Sequence, residues 1–473
     1  MQSQRNPERA FMRKESFGGI LGHRDGYGFF VVNEGGFESI RARASGHLET
    51  EAPNAASDSF LAALREHCLV DSQGRYLGEI VDNGNRVPYL SAPIRVWLEI
   101  TSKCNLHCIN CFNENHQDFK GDIPLQDILR ILRNLNEAGV PQITITGGEP
   151  LIRKDVWSIL DFAAQLGFGL RFFTNGTTIN DANSMRLATY PISHIFASID
   201  GIGVSNDLLR GKGTFSRIAT GIERLAKFNR NVTLSVTLHA LSLDSIRQTF
   251  DFAAAIGIRS LLIRPLLEYR QSSNELRIAK SEIPAFIHQL ELASIATGVE
   301  YQLNKFPFFE NQKAIFHEDR ESDIHFSSIT GDNQFGCVAG NTVAGIKSNG
   351  LVMACGFIPI KYSSDESNSA VINPFVQLWN ESENIAFMRQ IEANSTCQSC
   401  SLMPVCGGGC RANAILAGNT IRGIDPYCFI TDSRLLPENK RTPQSPFENE
   451  ASSSKPWLSK RTITTKCGSG SLL

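Results

Sequence analysis

Between residues 94 and 267, six short runs rich in β-branched and apolar residues (IRVWLEI, QITITGG, GLRFFTNG, HIFASID, NVTLSVTL and SLLIRPLL) alternate with stretches whose apolar residues fall three or four apart. A chain that repeats strand and amphipathic helix in this way has few folds open to it, because parallel strands need a crossover that is usually a helix. QDILRILRNLNEAG and TFSRIATGIERLAKF are two such crossovers, each with an apolar stripe to lay on a sheet. Six consecutive units predict an α/β fold whose centre is a partial (β/α)6 barrel of the TIM type. Parallel barrels assemble their chemistry at the carboxyl ends of the strands, and polar and glycine-rich residues follow those ends here.

The flanks have a different texture. In residues 1–92, FGGILGH and GYGFFVVN predict a hairpin, FESIRARA and SFLAALREHCLV two helices, and QGRYLGEI an extended return, together a small α+β module of winged-helix-like build. The barrel is assigned to 93–330, with a mostly helical, polar stretch from 268 onward completing it. Residues 331–432 form a cysteine-rich domain. The last segment, 433–473, is rich in Ser, Thr, Pro, Lys and Glu and reads as a disordered tail. A chain of 473 residues, 42% hydrophobic, can bury more than one core. A net charge of -2 removes the electrostatic case for a nucleic-acid or membrane partner. The start is polar, and no apolar run nears the roughly 20 residues a membrane span needs, so the expected location is cytoplasmic.

Twelve cysteines in such a chain point to metal ligation or thiol catalysis, because a reducing compartment disfavours structural disulfides. Three lie within Cys104–Cys111 and seven within Cys337–Cys428, leaving Cys68 as a core residue and Cys467 in the tail. TSKCNLHCINCF follows the first strand run and spaces Cys104, Cys108 and Cys111 as C-x3-C-x2-C. Three thiolates can hold three irons of a cubane and leave the fourth open to a small molecule. A zinc knuckle completed by His107 or His116 is the competing reading. TGGEP, Thr146–Pro150, follows the second run; its small glycines allow a ligand to come close to backbone carbonyls.

These motifs resemble the radical S-adenosylmethionine superfamily over residues 94–267. The resemblance implies one SAM-binding [4Fe-4S] cluster on Cys104, Cys108 and Cys111 whose open iron chelates the methionyl group of SAM, and a 5'-deoxyadenosyl radical that removes a substrate hydrogen. It further implies that Gly147, Gly148 and Glu149 receive the methionyl ammonium, that Ser198 and Arg210 contact its carboxylate, and that Asp200 and Asn175 line the pocket. Arg264 serves the adenosine, a carboxylate or a structural salt bridge. Many relatives carry an aromatic residue just before the third cysteine, where this chain has Asn110; Phe112 is the alternative neighbour for the adenine. An electron donor such as flavodoxin or ferredoxin is implied as well.

The later cysteines run Cys337-x17-Cys355, with Gly350 between them, then Cys397-x2-Cys400-x5-Cys406-x3-Cys410 and Cys428. Seven exceed one four-ligand site, so two sites are expected, with zinc ribbons as the competing reading. The pattern resembles the SPASM extension, named for maturases of subtilosin, PQQ, anaerobic sulfatases and mycofactocin. That resemblance implies two auxiliary iron–sulfur clusters, one on Cys337, Cys355 and Cys410 with an unnamed fourth ligand, and one on Cys397, Cys400, Cys406 and Cys428. Sulfatase maturases place an Asp after the inner hairpin cysteine, whereas Cys355 is followed by Gly356 and Phe357. Residues 16–80 resemble the PqqD-like domain that holds the leader of a ribosomally made precursor peptide against a sheet edge. The expected function is a radical maturase that crosslinks such a peptide through a thioether or carbon–carbon bond. A related enzyme acting on a small molecule such as a haem precursor, or a zinc-binding scaffold, is the alternative. No catalytic acid or base is assigned.

Overall fold

The computed structural model describes residues 6–26, 29–46, 55–113, 122–267, 275–304, 337–358, 366–400, 403–418 and 420–428. The expected tail, 433–473, and His116 lie outside the described residues. Two compact units divide the chain, one containing Met1–Tyr89 and the other Leu90–Gln312 with Thr330–Leu435.

In the first unit, β1 (Ala10–Glu15), β2 (Gly18–His23), β3 (Phe29–Val32) and β4 (Glu79–Val81) form a sheet in the order β3-β2-β1-β4, with α1 (Glu34–Ala44) and α2 (Ala55–Glu66) between β3 and β4 in the chain. Asn33 starts α1 by accepting the Gly36 amide at 2.8 Å, so a capping residue rather than helix propensity fixes that end. Met12, Leu21, Phe37, Ile40, Leu64 and Tyr76 fill the core of this unit. Cys68 is buried, as its sequence context suggests, but it is disulfide-bonded, against the expectation that disulfides are disfavoured in this chain.

The second unit is built on β5 (Arg95–Glu99), β6 (Gln142–Thr146), β7 (Gly169–Thr174), β8 (Ile192–Ser198), β9 (Val232–Leu238), β10 (Ser260–Pro265), β11 (Glu300–Leu303), β12 (Val343–Ile346) and β13 (Val352–Met353). Their order is β11-β10-β9-β8-β7-β6-β5-β12-β13. The six expected strands are present and parallel, joined by α3 (Leu125–Glu137), α4 (Val156–Gln165), α5 (Asp181–Leu187), α6 (Val204–Arg210), α7 (Thr214–Phe228) and α8 (Ile246–Ala255). The helices bury the stripes read from their sequences, Ile128, Ile131, Leu132 and Leu135 in α3 and Ile218, Ile222 and Leu225 in α7.

Three strands extend the expected six. After α9 (Ile283–Thr297), β11 adds a seventh parallel strand beside β10. At the opposite edge β12 pairs parallel with β5, Val343 opposite Arg95 and Ile346 opposite Leu98, and turns back antiparallel into β13. Glu-Tyr-Gln-Leu and Val-Ala-Gly-Ile carry too little β-branched or alternating signal to be read as strands alone. Their pairing with a neighbour far away in sequence makes them strands. The cysteine-rich segment therefore continues the barrel's own sheet. Among the described residues no helix is long and apolar enough to cross a membrane.

Candidate active site

Side chains alternate along β5, so Arg95, Trp97 and Glu99 share one face and Val96 and Leu98 the other. The chain then enters the loop that carries Cys104, Cys108 and Cys111. Asp122 fixes its base, accepting from the Thr101 hydroxyl at 2.9 Å and the Ser102 amide at 3.2 Å, and the Ile109 amide donates to the Leu209 carbonyl at 2.9 Å. The turn after β6 docks on the same loop. Gly148 and Glu149 donate their amides to the carbonyls of Thr101 and Lys103, both at 2.8 Å. A Cβ on Gly148 would fall 2.0 Å from the Lys103 oxygen, and one on Gly147, whose φ is +150°, 2.3 Å from that of Thr101. The glycines are thus required first by contact with the cysteine loop, a reason distinct from the ligand approach expected of them.

Together these elements line an open cavity with about 860 Å³ of empty space, open solvent included. The three cysteines form part of its wall, and Gly147, Gly148, Asn175, Ser198, Arg210 and Arg264 face it from the ends of β6, β7, β8, α6 and β10. Residues from four strand ends and one helix end meet there. Asn110 and Phe112 also line it. Phe112 stands 5.2 Å from Phe357, which stands 5.2 Å from Trp97, itself 5.3 Å from Phe173, so one flank of the cavity is a chain of aromatic rings. Only Phe112 of these four was singled out by its motif. Alternation along β5 and β7 is the signal that points Trp97 and Phe173 inward; Phe357 carries none.

Two expected contacts sit behind the wall. Glu149 is fully buried and does not line the cavity. Its carboxylate accepts from the Asn175 amide at 2.6 Å, the Thr174 hydroxyl at 2.9 Å and the Leu151 amide at 3.2 Å, tying the end of β6 to the end of β7. Asp200 is likewise wholly buried and lies 2.8 Å from Arg210 Nε, while accepting the Thr237 amide at 2.8 Å. The Arg210 N–H does not point at the Asp200 oxygen in hydrogen-bond geometry, so the contact is a charge pair that holds the guanidinium at the cavity. Burial works against the charge of Arg210, and the negative charge of Asp200 reverses that effect, so that its pKa is raised. Arg264 donates to the Ser235 hydroxyl and lies 6.0 Å over the Phe173 ring.

Burial pushes the Cys108 thiol up to about 12 and raises that of Cys104. Such thiols stay protonated until a cation replaces the proton, which is the behaviour of ligands that fill only with metal. In the cysteine-rich segment, Cys337 is partly buried, and its thiol is pushed up to about 12, first by burial and then by Cys410, with Cys355 also near. Cys397 is raised by burial, with Cys400 and Asp425 close by. Gly350 turns the β12–β13 hairpin at φ +87°. Asp425 accepts the Cys410 amide at 2.7 Å and is pushed up by burial to about 6. The ten cysteines of the two constellations are free thiols. Among the described residues no three His, Cys, Asp or Glu side chains converge on one metal ion; a cubane, by contrast, spreads its thiolates over separate irons.

The burial of Glu149 sets a pH dependence. Its pKa is raised to about 7 from an ordinary 4.5, so between these values the folded chain holds a proton that the unfolded chain has lost. Stability from this group is complete below pH 4.5 and is lost as pH rises through 7. We expect denaturant unfolding of the metal-free chain to fall by about 3 kcal/mol between pH 4.5 and 7.5 through this group. Glu149→Gln should flatten that slope; a slope identical in the two proteins would refute the assignment.

Residues 98–253 match the Radical SAM superfamily. Mycofactocin maturase MftC of Mycobacterium ulcerans is 28% identical over 343 residues, covering 72% of this chain and 88% of that protein. The AdoMet-dependent heme synthase of Methanosarcina barkeri is 24% identical over 346 residues, covering 72% and 97%. Among solved structures, Streptococcus suis SuiB bound to precursor peptide SuiA superposes with a TM-score of 0.64 at 18% identity, covering 88% of this chain and 98% of that one. The likeness to SuiB establishes the fold.

Proposed function

Starting from a radical SAM domain at residues 98–253, we propose that this chain is a maturase that modifies a ribosomally synthesised precursor peptide by closing a thioether or carbon–carbon crosslink. The observation that carries the chemistry is the single cavity in which Cys104, Cys108 and Cys111 meet Gly147, Gly148, Ser198 and Arg210. The donor set suits the group: three free thiols, of which burial raises the pKa of Cys104 and Cys108, beside the Arg210 cation held by Asp200.

In this reading the three cysteines hold one [4Fe-4S] cluster and leave an iron free for S-adenosylmethionine. When bound, that pair supplies a carbon radical able to take a hydrogen atom from an unactivated position. The chain's own groups do the rest. Arg210, fixed by Asp200, and Ser198 receive the methionyl carboxylate, and the carbonyls of Gly147 and Gly148 receive the ammonium. Glu149 acts behind them by joining β6 to β7. The rings of Trp97, Phe112, Phe173 and Phe357 keep water from the cavity flank, which protects a reactive substrate from side reactions. Cys337, Cys355 and Cys410 are assigned to one auxiliary cluster, and Cys397, Cys400, Cys406 and Cys428 to a second. These would accept the electron left when the crosslink closes, and a protein such as flavodoxin or ferredoxin would supply the reducing electron.

The peptide substrate is supported by the similarity to mycofactocin maturase and by the first unit, whose four-stranded sheet ends at β3 on one side. An edge strand offers backbone donors and acceptors to an extended leader without reading its side chains. Removing residues 1–89 keeps Leu90, whose carbonyl accepts the Trp379 indole at 2.7 Å. That deletion should weaken precursor binding at least tenfold while sparing uncoupled cleavage of S-adenosylmethionine; unchanged peptide affinity in a binding isotherm would remove the leader from the proposal. The similarity to a heme synthase favours a second reading, an enzyme of the same kind acting on a tetrapyrrole.

Anaerobic coexpression with each short peptide encoded beside the gene separates the two. Loss of two hydrogens per crosslink, read by intact and fragment mass and absent when Cys104, Cys108 and Cys111 are all replaced by Ala, is the expected result. No mass change in any neighbouring peptide, despite active cofactor cleavage, would transfer the proposal to the tetrapyrrole.

A further inference from the structure

Asn175 ends β7 at the cavity wall and is more than nine-tenths buried, and every polar atom of its side chain is engaged. Its Oδ1 accepts the Thr177 amide at 2.9 Å and the Thr177 hydroxyl at 2.6 Å. Its Nδ2 donates to Asn105 Oδ1 at 2.9 Å and to Cys104 Sγ at 3.6 Å. Asn105 closes the ring by donating to the Thr177 hydroxyl at 2.8 Å. A backbone amide can only donate, so the Thr177 N–H fixes which end of the Asn175 amide is oxygen. The other end must then present its N–H groups to Asn105 and to the sulfur. The Asn175 backbone is itself pinned, its amide donating to buried Glu149 at 2.6 Å.

We infer that Asn175 is a positioning residue for the cluster, setting the reduction potential of the Cys104-bound iron through this N–H···S hydrogen bond. The inference rests on the reading of Cys104 as a cluster ligand and goes beyond it. A donor aimed at a thiolate stabilises the reduced, more electron-rich cluster and so raises its potential. The loop sequence Cys-Asn and the strand-end sequence Thr-Asn-Gly-Thr supply the whole ring.

The test uses the full chain reconstituted anaerobically with iron and sulfide. The fraction of reduced cluster at a fixed potential is read by electron paramagnetic resonance, for the signal that changes on adding S-adenosylmethionine. Asn175→Leu should lower the ratio of reduced to oxidised cluster about tenfold, equivalent to about 59 mV for a one-electron couple. Asn175→Asp, which keeps the acceptor for Thr177 but turns a carboxylate oxygen toward the sulfur, should lower it further. Ratios within twofold of wild type at wild-type iron content would overturn the inference. Should both variants lose iron, Thr177→Val frees the Asn175 amide without removing it, and a drop of about threefold is expected; an unchanged ratio there, or loss of iron from all three variants with the fold intact, reduces the ring to scaffolding and overturns the tuning role. Absence of any SAM-responsive signal in the wild-type chain would bring down the cluster reading itself, and the inference with it.

Discussion

Replacing Cys104, Cys108 and Cys111 together by Ala is expected to remove one cubane's worth of iron and sulfide and to abolish reductive cleavage of S-adenosylmethionine. The expectation follows from where the thiols sit. Burial pushes the Cys108 thiol up to about 12 and raises that of Cys104 as well, so these groups become good ligands only in exchange for a proton. His107, the residue a zinc knuckle would use, is exposed on the loop. The loop itself should survive, since its anchors are Asp122, the Thr101 and Lys103 carbonyls and the Leu209 carbonyl, none of them cysteine. Iron and acid-labile sulfide per chain, together with the yield of 5'-deoxyadenosine, check the result. Cleavage retained at even a few per cent of wild type would place the reaction elsewhere. The companion change, Cys397→Ala with Cys400→Ala, should leave cofactor cleavage in place and remove crosslinked product, because those thiols lie in a different constellation.

How much of this was visible in the sequence depended on how local each determinant is. The six central strands and their covering helices were legible because each carries its own period, and the Cys104–Cys111 loop because its three cysteines lie within eight residues. The seventh strand was not: Glu300–Leu303 owes its conformation to β10 beside it. The same holds for the cysteine-rich segment, which the sequence separates from the barrel by composition while Val343–Ile346 joins it to β5 by hydrogen bonds. In the site, Gly147, Gly148, Asn175, Ser198 and Arg210 were found at the cavity because strand-end motifs place them there. Glu149 and Asp200 belong to the same motifs yet act one layer deeper, a distinction that only side-chain direction decides. Asn105 passed as a filler between ligands, and its part in the ring with Thr177 and Asn175 spans 72 residues.

Of the long-range contacts, the largest energetic consequence attaches to Lys347. It leaves the end of β12, reaches Glu99 at the end of β5 with a 2.8 Å ion pair and donates to the Gly356 carbonyl at 3.2 Å, both charged side chains almost wholly buried. The second oxygen of Glu99 has no hydrogen-bond partner among the described residues, so the lysine carries nearly all of the compensation for a buried carboxylate. Lys347→Met keeps the stem and removes the charge, leaving that carboxylate alone; breaking a buried pair in this way costs about 3–5 kcal/mol. The denaturation midpoint of the metal-free chain should fall accordingly. Adding Glu99→Gln should recover at least half of the loss, because two neutral groups no longer demand each other, and the double-mutant cycle isolates the coupling. A cost under about 1 kcal/mol would mean that water, not the lysine, satisfies Glu99. The pair also joins the strand that feeds the Cys104 loop to the hairpin that carries Cys355. A variant still folded at low temperature should therefore lose more product per S-adenosylmethionine cleaved than it loses cleavage, since the break lies between the place where a substrate hydrogen is removed and the thiols assigned to receive the electron that follows.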